Sequence, residues 1–89
     1  MPYINQEDKE DLGTSVQRLK GDLLWYRSKG PGFLNYVITN LVLFWLGDIP
    51  NYAKYNEVVG VLESVKLEFY RRAVAEYEEG KIKQNGDVY

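Results

Sequence analysis

Residues Tyr52–Arg72 read "YAKYNEVVGVLESVKLEFYRR", and this stretch decides the fold class. At about 100° per residue, Val58, Val61, Leu62, Val65, Phe69 and Ala73 collect on one side of a helix. Glu57, Ser64, Glu68, Arg71 and Glu78 collect opposite, as a solvated face. Between the two runs a column of Tyr52, Val59, Glu63, Lys66, Tyr70 and Tyr77. The spacing therefore predicts a long amphipathic helix, with Asn51 as its N-cap. Gly80 is expected to end it after about Glu79, with Lys81 and Lys83 near the negative end of the dipole.

Upstream, "GDIPN" at 47–51 is a turn, in which Gly47 caps the preceding helix and Pro50 forbids simple continuation. That preceding helix covers Gly32–Leu46. Leu34, Val37, Ile38, Leu41, Val42, Phe44 and Trp45 take more than half its circumference, and Asn35, Tyr36, Thr39 and Asn40 hold the rest. A helix this apolar is central in its own fold or pressed against another chain. A strand is the fallback reading, because β-branched residues are frequent; length and the asparagine spacing favour helix. "SKGPG" at 28–32 is another turn, with Pro31 in the first turn of the next helix.

The N-terminal third offers Asn5 as an N-cap and acids in the first turn. Gly13 is expected to interrupt, with Thr14 or Ser15 capping a fresh start for "VQRLKGDLLWYRS". "KQNGDVY" at 83–89 carries an Asn-Gly turn signal and ends in Val88 and Tyr89, side chains expected to dock against a helix. The fold expected is all-α, a single domain over residues 1–89. It is a compact bundle of three to four helices with a long C-terminal helix.

Composition narrows the chemistry. The chain has 89 residues and no cysteine or histidine. Disulfides, imidazole bases, thiolate nucleophiles and the usual zinc sites are thereby excluded. A bundle-type metal site from Glu63 and the acids after Glu76 lacks the histidines that such sites use. No glycine-rich phosphate loop and no nucleophile elbow is present, so neither an enzyme nor a cofactor is expected. A chain this short has a thin stability margin. With 45% hydrophobic and 15% aromatic residues, homo-oligomerisation is the expected support. The net charge of −2 argues against DNA or RNA as a partner, which needs a basic face. No signal peptide or membrane-spanning run is visible, and the expected location is the cytoplasm.

Aromatic faces and cations on the column suggest a pocket for a base and a phosphate. Its candidate residues are Arg72, Arg71, Tyr70, Lys66, Glu63, Tyr55, Asn56, Tyr52, Asn35 and Tyr36. Arg72 is expected at the edge of the apolar seam, where a phosphate would satisfy it. The competing reading makes the column packing or an oligomer interface, with Glu63 pairing Lys66 and the arginines pairing nearby glutamates.

"MPYI", "LNYVIT" at 34–39, "YNEVVGVLESVKLEFYRR" at 55–72 and "NGDVY" at 85–89 resemble a family of small uncharacterised proteins of phages and of prokaryotic genomes carrying prophage-like genes. The resemblance runs from end to end and implies a setting without an assigned chemistry. If phage-encoded, the protein would work in the host cytoplasm. The setting implies a small oligomeric protein that sequesters a nucleotide immune signal, a counter-defence sponge. The alternative is a protein–protein interaction module with no small-molecule ligand.

Overall fold

A computed structural model describes residues 4–89, so the first three residues of the "MPYI" motif lie outside the described part. Helix α1 spans Gln6–Leu24, α2 spans Gly32–Leu46 and α3 spans Tyr52–Phe69. A π turn over Tyr70–Val74 joins α3 to α4, Ala75–Asn85. The last three segments run for 34 residues as one helical stretch. The fold is all-helical among the described residues. Contacts divide the chain into two units, 4–58 and 59–89, with the boundary inside α3.

Helix starts follow the sequence. The Asp8 amide donates to Asn5 Oδ1 at 2.8 Å, and the Lys54 amide donates to Asn51 Oδ1 at 2.9 Å. Each side chain satisfies one of the orphan donors of a helix N-terminus. Pro31 precedes α2, and its carbonyl accepts from the Asn35 amide at 3.0 Å. Gly47 ends α2 at φ 78°, ψ −175°, a region open essentially to glycine alone, which costs an L side chain about 1–3 kcal/mol.

Two expected helix ends are corrected. α1 passes through Gly13 without a break, and neither Thr14 nor Ser15 caps a new helix. α4 passes through Gly80 and stops at Asn85, with Gly86 at φ 85° and its amide donating to the Ile82 carbonyl at 2.8 Å. A helical glycine costs about 1 kcal/mol relative to alanine. That weakens a helix whose neighbours all favour it, and does not end one. A Cβ at Gly80 would meet nothing within 4 Å. Gly80→Ala is therefore expected to stabilise the protein by about 0.5–1 kcal/mol. A melting curve should show this as a rise of roughly 3–6 °C.

The tail also departs from expectation. Val88 is 93% exposed and Tyr89 111% exposed, so neither docks within the chain. After Gly86 the Tyr89 amide donates to Asp87 Oδ1 at 2.9 Å.

The seam expected to be the core of the long helix is buried at one position. Val58 is 8% exposed and is the one buried side chain among the described residues. Val61, Leu62, Val65 and Phe69 are all open to solvent. Periodicity places apolar side chains on one side of a helix, and a single chain need not supply what covers them.

Candidate functional site

Within residues 59–89 the π turn organises the charges. A π turn inserts one residue into the helical repeat, so positions beyond it shift by about 100° from an uninterrupted wheel. The paired arginines keep ordinary helix spacing, three and four residues beyond Glu68. Arg71 Nη2 approaches Glu68 Oε2 at 2.8 Å and Oε1 at 3.0 Å. Arg72 Nε donates to the same Oε2 at 3.1 Å. Glu68, expected on the open face, lies half-covered beneath the two guanidiniums. Arg72 is 65% exposed, not held in a low-dielectric seam. The hydrogen bond from Arg71, helped by Arg72 and by both positive charges, holds the Glu68 carboxyl below its ordinary pKa, against a smaller opposing effect of desolvation.

Tyr70 turns toward α4, where its hydroxyl donates to Glu78 Oε2 at 3.1 Å. Accepting that bond, and being negative, Glu78 pushes the Tyr70 pKa above its ordinary value. Glu63 and Lys66 form the expected surface pair at 3.4 Å. The five site candidates of this unit are thus exposed and engaged with carboxylates or with one another. Tyr70 is drawn to Glu78 rather than presented as a stacking face beside the arginines.

The other five candidates lie within residues 4–58. Tyr52, Tyr55 and Asn56 are exposed on the first turns of α3. Asn35 Oδ1 accepts from the Thr39 hydroxyl at 3.2 Å. Tyr36 is exposed on α2, and its carbonyl accepts from Asn40 Nδ2 at 2.8 Å.

Sequence reasoning missed two arrangements in this unit. The first is an open apolar cleft of about 670 Å³ between α1 and α2, lined by Leu19, Leu23, Tyr26, Phe33, Tyr36 and Val37, with Asp22 and Gly32. Tyr26 and Phe33, both in its lining, stack with centroids 4.7 Å apart. Tyr36 is the one candidate residue that lines it. The signal was present: Leu19, Leu23 and Tyr26 share one face of α1. Periodicity does not say which neighbour that face meets.

The second arrangement joins the end of α2 to α3. Trp45 Nε1 donates to Glu57 Oε2 at 3.1 Å, and Lys54 Nζ reaches the same oxygen at 3.4 Å. The Trp45 hydrogen bond, then the Lys54 charge, lower the Glu57 pKa from its ordinary 4.5. A carboxylate depressed in the folded state contributes stability above its unfolded pKa and loses it as pH falls through the folded one. Both Glu57 and Glu68 act in this direction, so their contribution fades below about pH 4.5. Trp45→Phe removes the indole donor. Carboxyl NMR titration should then find Glu57 moved back toward 4.5 and Glu68 unchanged.

Among the described residues no helix is long and apolar enough to cross a membrane. No curated protein and no solved structure matches the chain. The family described as Domain of unknown function (DUF6899) matches it over residues 1–88, and the chain belongs to that family.

Proposed function

We propose that this chain is a non-catalytic protein–protein interaction module that works as a homo-oligomer, its helical bundle completed by helices of neighbouring copies. The observation that carries this reading is the state of its apolar surface. Leu24, Trp25, Leu41, Leu43, Phe44 and Ile49 are all exposed within residues 4–58 alone. Contiguous apolar patches beyond a few hundred Å² mark interaction sites on soluble proteins. Aromatic enrichment with a charge-depleted centre is the composition of such interfaces. Light scattering at micromolar protein tests it. The expected mass is a multiple of the 10.4 kDa chain; a stable monomer would falsify the reading.

A second reading keeps the small-molecule ligand, a nucleotide immune signal trapped by a phage counter-defence sponge. The convergence of Arg71 and Arg72 on one carboxylate favours it. A phosphate presents the same oxygen geometry to a guanidinium fork, and Lys66 lies one turn earlier on α3. A thermal-shift panel of cyclic and ADP-ribose-type nucleotides tests it. Ligand at one hundred times its dissociation constant stabilises by about 2.7 kcal/mol. An unshifted protein across the panel excludes this reading and leaves the first.

A further inference from the structure

The helix α2 carries a protruding aromatic side chain at one end and half of an apolar cleft at the other, on one face. Phe33, Val37, Asn40 and Phe44 fall within about 60° of its circumference. Phe33 and Val37 line the cleft against α1. Phe44, 81% exposed, stands about 16 Å further along the helix. All 15 residues of α2 are uncharged.

We propose that α2 pairs antiparallel with α2 of a second copy about a two-fold axis, and that Phe44 of each chain seats in the Tyr26–Phe33 cleft of the other. This deepens the reading above that the chain assembles with itself, and rests on it.

Three observations point to a second copy rather than to another protein. A two-fold interface must be self-complementary, with residue i against j and j against i. A projecting ring and a ring-lined cleft on one helix face meet that condition. Setting Phe44 opposite Phe33 in an antiparallel pair also sets Val37 opposite Asn40. The Asn40 amide already donates to the Tyr36 carbonyl, so its burial leaves less hydrogen-bonding capacity unmet, and one asparagine in an apolar seam specifies register. An uncharged face, finally, selects no charged partner and meets its own copy without repulsion.

Two experiments on the full chain test the pairing. The chain has no cysteine, so Val37→Cys and Asn40→Cys each introduce a single thiol. Mild oxidation of a mixture of the two variants should give the mixed disulfide in excess over either symmetric one. Symmetric disulfides in excess would mean a parallel pair and overturn the proposal. Phe44→Asp should keep its helical circular dichroism, since the side chain is exposed in the single chain, and dissociate about a hundredfold more readily by light scattering. Phe44→Leu should assemble like the parent. An oligomer indifferent to Phe44→Asp would place the interface elsewhere and leave the interaction reading standing. A parent protein that is monomeric would refute both. Should Phe44→Asp lose its helicity, the disulfide pattern decides.

Discussion

Val58→Asp should leave the protein unfolded in dilute buffer, with a featureless melting curve and most helical circular dichroism lost. Val58 is the buried side chain of the described chain. An ionised carboxylate there would be largely cut off from solvent. The effective penalty for burying an unpaired charge is several kcal/mol even after relaxation. Native domains hold about 0.05–0.15 kcal/mol per residue, and a chain of 89 residues with one buried side chain among those described belongs at the low end, about 4–5 kcal/mol in all. The loss therefore matches or exceeds the whole stability. Val59→Asp is the control. It introduces the same charge one residue later on α3, where the side chain is 63% exposed. A surface change of this kind stays within about 0.5 kcal/mol. Equal loss in both variants would show that helix propensity, not burial, sets the cost. Retained folding in Val58→Asp would show that this position holds nothing together.

The same contrast shows what was legible in the sequence. The caps at Asn5 and Asn51 and the stop at Gly47 are local chemistry, written within four residues, and all three are found. Gly13 and Gly80 misled because a glycine is both a helix-weakener and a helix-stopper. Which one it becomes depends on whether its φ turns positive, as at Gly86 and not at Gly80. The π turn at Tyr70–Val74 left no mark on the periodicity, yet it moves every later side chain by about one residue's rotation. That is why Tyr70 meets Glu78, eight residues on and about 80° away on an uninterrupted wheel, whereas Arg71 and Arg72 pair with Glu68 at ordinary helix spacing, as the competing reading of the column expected.

Of the ten candidate residues, those of the long helix were placed on the right element. Their partners were not all foreseen, because a wheel gives direction and says nothing of neighbours. The Trp45–Glu57 bond and the α1–α2 cleft join positions separated by a turn of several residues. No residue type at either end announces such contacts. The exposed seam along Val61, Leu62, Val65 and Phe69 was legible as apolar. Its exposure was not, because periodicity does not say whether another element packs over it.

A melting midpoint that falls as the protein is diluted is the second expected result. If copies of the chain complete one another's bundles, unfolding is coupled to dissociation, and mass action favours the unfolded chains at low concentration. Each tenfold dilution then removes about 1.4 kcal/mol from the assembled state. For a pair of chains with the usual unfolding entropy per residue, the midpoint should fall by about 4 °C per tenfold dilution. Across a thousandfold range this reaches about 12 °C, well outside the error of a scan. Phe44→Asp should flatten the dependence, because a chain that no longer pairs through α2 has less association to lose on dilution. The sign is fixed by physics: a monomer melts at one temperature whatever its concentration. A constant midpoint in the parent would mean that α2, with no charge along its length and Phe44 open to solvent, stands uncovered in water. That state conflicts with the limited apolar patches that soluble monomers tolerate. The dilution series thus asks whether another copy of the same chain covers α2.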